Sequence, residues 1–375
     1  MIRVALILGK YNIGGRRSLT MNYFRNMDND KVRFDFICDS DSQAIPYEEI
    51  EARGGRVFII RPYQNILGNI ADMKKLFREN KYSIVHAYNS TMNVFPMYAA
   101  KVAGVPVRIS ESISMGNKQD KKTILKNILK TTSRLFANYY MSCGTACGVW
   151  QFGQKALDEG KLSVFKSCID TEAFDFDPAL REEVRKEYGW EDRIVIGHVG
   201  RMTKAKNPVR MMDMFAAVLM KEPGAVFCYV GDGELQDQVF AEADKLGIRD
   251  KVYFVGGRED VHRFYCAMDG FLLPSLYEGI PNVGLEAQSS GLPVFFSTEV
   301  PEESSGCEIC RFIPLSESDS HWADLILEGV KENMPVRRGY TKELASVGFD
   351  SKKEAKRLQQ FYFDAYEKEC GSAPW

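Results

Sequence analysis

Short β-rich runs alternate with helical patterns along the whole 375-residue chain, and this alternation limits the possible folds more than any other feature. The strand-like runs are IRVALIL, VRFDFIC, RVFIIR, YSIVHAY, VPVRISE and YYMSC in the first half, then RIVIGHVG, AVFCYVG, KVYFVG, GFLLPS and LPVFFS. Strands that alternate with helices pair in parallel and are covered by helices on both faces. We therefore expect an α/β fold of two doubly wound, Rossmann-like domains.

The boundary between the two domains is expected in SCIDTEAFDFDPAL, around 168–182, which has acidic residues, a proline and no apolar periodicity. We predict an N-terminal domain over 1–170, a second domain over 171–350, and a helix over 351–375 that packs back on the first domain. Two doubly wound domains usually bind ligand in a central cleft at the carboxyl ends of their strands. Functional residues should therefore follow strands.

The overall composition argues against several classes of protein. A net charge of -2 gives no general attraction to nucleic acid. No apolar run reaches the roughly 18 residues of a membrane-spanning helix. The nine cysteines, largely within apolar runs, fit a reducing compartment. We expect a cytoplasmic globular protein with no nucleic-acid partner.

The stretch SLYEGIPNVGLEAQSSGLPV places two acidic residues, Glu278 and Glu286, on either side of a Gly-Ile-Pro-Asn turn. Proline suits the first turn of a helix, so a helix should begin near Pro281, with Glu278 in the loop before it. The N-terminus of a helix attracts anions. Two carboxylates around such a point suit a ligand with a central phosphate and hydroxyl groups at both ends, as in a nucleotide sugar.

The segment HVGRMTKAKNPV places two cations, Arg201 and Lys206, in the loop after a predicted strand. Cations at the carboxyl end of a strand would neutralise a diphosphate and stabilise charge on a leaving group. A loop whose charges are merely solvated is the alternative, and these residues alone do not decide between the two.

Three further loops carry glycine after a strand, which lets the backbone approach a ligand, although strand-end turns also use glycine for structural reasons. The first, GKYNIGGRRS, has neither the G-x-G-x-x-G pattern nor a Walker ending, so a phosphate loop and a plain turn both stay open. The candidate substrate-binding residues in these loops are Gly14, Gly15, Gly231, Gly256, Arg258 and Val261.

Polar residues end or follow two of the predicted strands in the first half. His86 ends YSIVHAY and is a candidate catalytic residue, with a structural histidine as the alternative. Asp39 and Asp41 superficially match an Asp-x-Asp metal motif, but no further ligand cluster lies near them in the sequence. Because cation sites need several oxygen ligands, we predict no metal and no other cofactor.

Residues 118–134 form a basic amphipathic pattern, in which five lysines and Arg134 alternate with isoleucine and leucine. A helix of this kind can lie on an anionic membrane surface, so one interpretation is a peripheral contact with the inner face of a membrane. An ordinary surface helix with its apolar side in the core is the alternative.

The motifs VGDGEL, VYFVGGREDV and above all PSLYEGIPNVGLEAQSSGLPV, with Lys206 five residues after Arg201, resemble the family 4 retaining glycosyltransferases of GT-B fold. VHAYNS, AAKVAGVPVRISES and the linker CIDTEAF resemble the bacterial exopolysaccharide and capsule transferases of that family. The resemblance therefore spans nearly the whole chain.

The resemblance implies a role for each residue of a donor site. Glu278 would hold hydroxyl groups of the donor sugar and Glu286 the ribose. Arg201 and Lys206 would grip the diphosphate. The backbone N–H groups that complete the phosphate site are expected around Asn282 and Val283 and, across the cleft, at Gly15.

The chain departs from the family pattern after the fifth strand. Many relatives carry His-Ser-His where this chain has Ser110, Glu111 and Ser112, and in those relatives the histidine lies near the reacting sugar. Glu111 is therefore a candidate catalytic residue in its place. A different donor sugar or acceptor, or a catalytically weak protein, is the alternative.

The activity implied is transfer of a hexose, with retention, from a nucleotide sugar that we expect to carry UDP. The acceptor would be a saccharide, commonly lipid-linked, in exopolysaccharide or capsule synthesis. The acceptor hydroxyl would attack the face that the nucleotide leaves, and a phosphate oxygen would take its proton, so that positioning and leaving-group stabilisation carry the catalysis.

Two other functions stay open: a non-catalytic subunit that binds a nucleotide sugar, and a sugar-nucleotide epimerase of the same fold. A phosphorylase would need a pyridoxal-binding lysine context, which the sequence does not offer. A dehydrogenase is disfavoured because no G-x-G-x-x-G follows the first strand.

Overall fold

The structure, a computed structural model, describes residues 1–12, 14–114 and 122–371, without the side chains of residues 122 and 123. It divides into two compact units. The first unit contains residues 1–168 and the segment from Ser351 onward, and the second contains residues 169–350. The first division falls two residues before the expected 170/171 boundary, and the second falls at 350/351.

Strands and helices alternate through both units. The elements up to residue 168 are β1 (Ile2–Gly9), α1 (Gly15–Asn26), β2 (Val32–Asp39), α2 (Tyr47–Ala52), β3 (Arg56–Ile60), α3 (Ile66–Asn80), β4 (Ile84–Ala87), α4 (Val94–Ala103), β5 (Val107–Ser112), α5 (Lys122–Thr132), β6 (Tyr139–Ser142), α6 (Thr145–Phe152), α7 (Gln154–Asp158) and β7 (Leu162–Val164).

The rest of the chain repeats the pattern. Its elements are α8 (Pro178–Tyr188), β8 (Val195–Val199), α9 (Pro208–Lys221), β9 (Val226–Val230), α10 (Gln236–Lys245), β10 (Val252–Gly256), α11 (Val261–Ala267), β11 (Gly270–Leu273), α12 (Asn282–Ser289), β12 (Val294–Ser297), β13 (Cys310–Ile313), α13 (Asp319–Asn333), α14 (Thr341–Ser346) and α15 (Ser351–Cys370).

The first unit is built on a parallel seven-stranded sheet in the order β3-β2-β1-β4-β5-β6-β7. Successive side chains of a strand point to opposite faces. In β1, Val4 and Leu6 belong to the apolar core on one face, whereas Ala5 and Ile7 belong to the core on the other. Burial on both faces explains why the strand is an unbroken apolar run.

The C-terminal helix α15 belongs to the first unit. Leu358 and Tyr362 are fully buried in the same core as Val4 and Leu6 of β1. Burying a large apolar side chain contributes roughly 1.5–3 kcal/mol, so the helix is an integral part of this core.

The second unit is built on a parallel six-stranded sheet in the order β10-β9-β8-β11-β12-β13. Its strands are likewise buried on both faces: in β8, Val195 and Ile196 face different cores. Both units are therefore doubly wound α/β units, which confirms the predicted fold class. None of the described helices has the length and apolar character needed to cross a membrane.

Candidate functional site

The strand order reverses once in the second sheet, between the adjacent strands β8 and β11. In open α/β sheets, the loops that leave such a reversal diverge and open a crevice at the carboxyl ends of the strands. The loop over 200–207 follows β8 and the loop over 274–281 follows β11. We call these two loops, with the start of α12, the β8/β11 site.

Backbone and amide contacts tie the two loops of the β8/β11 site together. The N–H of Leu276 donates to the carbonyl of Ala205 at 2.8 Å. The side chain of Asn207 donates to the carbonyl of Pro274 at 3.2 Å. Asn207 adopts the left-handed conformation, φ 57°, which asparagine tolerates, and Pro208 then begins α9. The contacts hold Lys206 at a fixed place beside the second loop.

Lys206 and Glu278 form an ion pair in this site, with Nζ 2.6 Å from Oε1. The same carboxylate oxygen accepts a hydrogen bond from the Ser275 hydroxyl at 2.9 Å. Both charged side chains keep less than a fifth of their surface exposed. Two residues that lie 72 positions apart in the sequence are thus brought into direct contact at one edge of the sheet.

Glu286 lies on α12, which begins at Asn282 as predicted, and its Oε2 accepts a hydrogen bond from the Tyr265 hydroxyl at 2.8 Å. Burial raises the pKa of the half-buried Glu286 to about 7, while Tyr265 and the charge of Lys206 act in the opposite direction. Lys206 therefore acts on both carboxylates. No side chain of the described residues caps the start of α12, and N–H groups in the first turn of such a helix attract anions.

Two further cations were predicted to bind the ligand, Arg201 of the loop after β8 and Arg258 of the loop after β10. Arg201 is exposed and makes no ion pair or side-chain hydrogen bond with the described residues. Arg258 binds Asp260 through two bonds of 2.7 Å and stacks on Phe264, 5.1 Å from the ring centre. The Arg201 charge is therefore unpaired among the described residues, whereas Arg258 is already paired with Asp260.

Structural needs explain only some of the predicted glycines. A Cβ on Gly231 would lie 2.1 Å from the carbonyl oxygen of Gly200, so the close approach of two loops requires glycine there. Gly256 has a φ of 72°, which favours glycine, although an added Cβ would meet no atom within 4 Å. In the first unit, Gly14 and Gly15 precede and begin α1 and have no neighbour within 4 Å of an added Cβ.

The sheet of the first unit also reverses its strand order, between β1 and β4, and a cavity of about 380 Å³ lies where the following loops diverge. We call it the β1/β4 cavity. Its polar lining includes Lys10, Arg16, Asp39, Asn69, Asn89 and Thr91. Apolar lining comes from Met73, Phe95 and Pro96. Carboxylate, amide and hydroxyl groups beside apolar surface are suited to binding a sugar.

Asp39, which the sequence placed in a metal-like motif, lines this cavity. Its carboxylate accepts hydrogen bonds from the Tyr63 N–H at 3.1 Å and from Asn69 at 3.4 Å, and burial raises its pKa. The prediction that the protein needs no metal or other cofactor stays a prediction.

His86 and Glu111, predicted to be catalytic, lie in the interior of the first unit and are almost fully buried. His86 Nε2 lies 2.8 Å from Glu111 Oε2, though not in hydrogen-bond alignment, and Nδ1 lies 2.8 Å from the Tyr362 hydroxyl. The His86 ring also stacks on Tyr88. A catalytic group must reach its substrate, so this burial favours a structural role that links β4 and β5 to α15.

Helix α5 covers residues 122–132 of the predicted basic segment, and residues 118–121 lie outside the described residues. Ile124, Leu125 and Ile128 are 71%, 54% and 61% exposed. Lys126 instead lines the β1/β4 cavity, and Lys130 lies over the ring of Trp150 at 5.0 Å. The alternative of an apolar side buried in the core is therefore wrong for these three residues.

Sequence reasoning missed Tyr265 and most of the cavity lining. Tyr265 stands in the apolar run FYCAM, which reads as core. Asn89 and Thr91 follow β4 directly, so the rule that functional residues follow strands could have found them.

The chain is similar to proteins of one known family. Residues 181–305 match the family described as Glycosyl transferases group 1. The chain is 32% identical over 379 residues to the putative glycosyltransferase EpsF of Bacillus subtilis (strain 168), covering 98% of each chain. It is 28% identical to the UDP-Gal:alpha-D-GlcNAc-diphosphoundecaprenol alpha-1,3-galactosyltransferase of Escherichia coli, over 76% of each chain.

A solved structure of similar fold is Anabaena HepE in complex with UDP, with a TM-score of 0.77 and 18% identity, covering 96% of this chain and 99% of that one. The two doubly wound units therefore define a fold of the GT-B class. The chain belongs to the group 1 glycosyl transferases, and the protein is a glycosyltransferase.

Proposed function

We propose that the protein transfers a hexose, with retention, from a UDP-sugar bound at the β8/β11 site to a saccharide acceptor. The observation that carries the proposal is the place of Lys206, which pairs with Glu278 and whose charge opposes the burial that raises the pKa of Glu286. A cation flanked by two carboxylates, beside the uncapped start of α12, matches a ligand with hydroxyl groups on both sides of a diphosphate.

Each of these side chains would act on a different part of the donor. The Lys206 ammonium has three N–H donors, so it can keep its bond to Glu278 and still donate to a phosphate oxygen. Glu278 would accept hydrogen bonds from sugar hydroxyls, and Glu286 from the ribose. Arg201, exposed and unpaired among the described residues, would add a second cation at the leaving diphosphate.

The chemistry of the transfer then depends on charge and position. As the bond between the sugar and the diphosphate breaks, Lys206 and Arg201 would stabilise the charge that develops on the leaving oxygen. The acceptor hydroxyl would attack the face that the nucleotide leaves, and a phosphate oxygen would take its proton. Holding the two reactants in this geometry supplies the rest of the rate enhancement.

We assign the acceptor saccharide to the β1/β4 cavity. Asp39, Asn69 and Asn89 offer the acceptors and donors that sugar hydroxyls need, and Phe95 offers apolar surface. The Escherichia coli relative is named for a diphosphoundecaprenol-linked acceptor, which supports a lipid-linked saccharide here too. The similarity to EpsF over nearly the full chain supports a role in exopolysaccharide or capsule synthesis.

The exposed face of α5 supports a peripheral contact with an anionic lipid surface. Ile124, Leu125 and Ile128 point outward from a segment that begins with several lysines in the sequence. Lys126 of the same helix lines the β1/β4 cavity. A helix inserted at the lipid surface would therefore bring this cavity close to the head group of a lipid-linked acceptor.

Transfer assays with single variants test the roles of Lys206 and Glu278. Lys206→Ala and Glu278→Gln should each lower kcat/KM for transfer from the donor at least ~10-fold, because each removes a charge-assisted contact. Lys204→Ala is the matched control, because Lys204 lies on the same turn, is exposed and makes no ion pair among the described residues. Its activity should stay close to wild type.

Near-wild-type turnover of both Lys206→Ala and Glu278→Gln would contradict the proposed site. The assay also separates the two alternative functions. An altered sugar released without acceptor would indicate an epimerase. Nucleotide-sugar binding without transfer to any acceptor would indicate a binding subunit.

A further inference from the structure

Tyr265 is a fully buried residue of α11 whose hydroxyl reaches the β8/β11 site. It lies 2.8 Å from Glu286 Oε2 and 3.3 Å from the carbonyl oxygen of Val283. The Tyr265 ring packs against the rings of Phe174 and Phe271, with centroids 5.9 and 5.7 Å away. The side chain therefore has little freedom to turn away from Glu286.

The backbone of α11 is also anchored at its C-terminal end. Arg337 donates one hydrogen bond to the carbonyl of Tyr265 at 2.8 Å and another to the carbonyl of Met268. Arg181 donates to the same Met268 carbonyl at 2.9 Å. Cations at the C-terminus of a helix donate hydrogen bonds to its last carbonyl groups. These bonds fix the end of α11 and therefore the backbone of Tyr265.

The hydroxyl of Tyr265 can donate only one hydrogen bond. Burial and the nearby charge of Glu286 raise the pKa of Tyr265 well above its usual range, so the group stays neutral and acts as a donor. Of the two oxygens within reach, the Glu286 carboxylate is closer and carries charge. Hydrogen bonds to charged acceptors are the stronger ones, so the proton goes to Glu286.

We propose that Tyr265 is a positioning residue that holds the Glu286 carboxylate in one orientation and in its ionised form, ready to accept hydrogen bonds from the ribose. The inference rests on the proposed nucleotide-sugar site. Because Tyr265 is fully buried and its hydroxyl donates to Glu286, it would act on the nucleotide through that carboxylate.

The proposal implies that nucleotide affinity depends on pH. The pKa of Glu286 is raised to about 7, so the ionised form that accepts hydrogen bonds prevails above that pH and is lost below it. The ionisable groups that lower this pKa are Tyr265 from α11 and Lys206 from the loop before α9, and α12 itself carries no other titratable side chain. Removing the Tyr265 hydroxyl removes one of these two, so the pKa of Glu286 should rise further.

Calorimetric titration with UDP from about pH 6 to about pH 9 tests the proposal. Tyr265→Phe should bind UDP several-fold more weakly than wild type near neutral pH and recover to within about twofold at the highest pH. Tyr229→Phe is the matched control, because Tyr229 is also fully buried in the second unit and its hydroxyl has no partner among the described residues. The control should follow the wild-type pH profile.

Two results would overturn the role of Tyr265. One is a Tyr265→Phe profile that matches wild type at every pH, and the other is a deficit that stays constant with pH, as a purely structural role would give. Glu286→Gln separates this inference from the proposed function. If Glu286→Gln binds UDP like wild type, the ribose role of Glu286 is wrong, whereas weak binding by Glu286→Gln with an unshifted Tyr265→Phe profile rejects Tyr265 alone.

Discussion

Lys206 interacts with both carboxylates of the β8/β11 site, although it lies far from Glu278 and Glu286 in the sequence. Its Nζ lies 2.6 Å from Glu278, and its charge opposes the burial that raises the pKa of Glu286. The contact depends on the Leu276 and Asn207 bonds that tie the two loops. Residue types at strand ends could be predicted to form the site, but this pairing could not, because it depends on how the two loops pack.

His86 and Glu111 show the limit of the same reasoning. Both lie in the second half of a strand, where the sequence predicts access to ligand. Their burial comes from Tyr88 and from Tyr362 of α15, which is 276 positions from His86 in the sequence. A strand pattern carries no information on which distant helix will cover it.

Gly231 gives a residue-scale test of the loop packing. In Gly231→Ala the new Cβ would meet the Gly200 carbonyl oxygen at 2.1 Å, with φ at 139°, so we expect a loss of roughly 1–3 kcal/mol in the free energy of unfolding. Denaturant unfolding measures it. Gly224→Ala is the control, since its added Cβ would meet only a flexible side chain at 3.8 Å. Equal stability of the two variants would contradict the packing.

At the scale of elements, strands with strong apolar runs could be predicted from the sequence, whereas two strands with weak apolar patterns could not. The long runs such as β1 and β8 were predicted because burial on both faces makes them continuously apolar. β7 has three residues, too few to show a period, and β13 includes Arg311 in a half-buried edge strand. Helix α12 was predicted from its proline signal and begins at Asn282.

Helix α5 gives the element-scale prediction. In co-sedimentation with vesicles of anionic phospholipid, the double variant Ile124→Ser, Ile128→Ser should bind at least ~10-fold more weakly than wild type, because insertion buries both side chains. Met220→Ser is the control, as Met220 is 84% exposed on α9 in the second unit. Equal binding by wild type and the double variant, or no binding by wild type, would contradict the membrane contact.

At the scale of the whole molecule, each unit has its proposed ligand site at the point where its strand order reverses. The β8/β11 site lies at this point in the second unit and the β1/β4 cavity in the first. The doubly wound fold could be predicted from alternation alone. The sugar, the acceptor and the linkage could not, because they depend on the shape of pockets that side chains from many elements form together.

The most direct test of the central claim is the thermal stability of the protein in the presence of UDP, GDP, ADP, NAD and a panel of UDP- and GDP-sugars. A ligand at about 100 times its dissociation constant adds roughly 2.7 kcal/mol to the stability of the state that binds it. We predict that UDP and UDP-sugars raise the melting temperature and that Lys206→Ala loses most of this shift. No stabilisation by any of these nucleotides, or an equal shift in Lys206→Ala, would contradict the donor site.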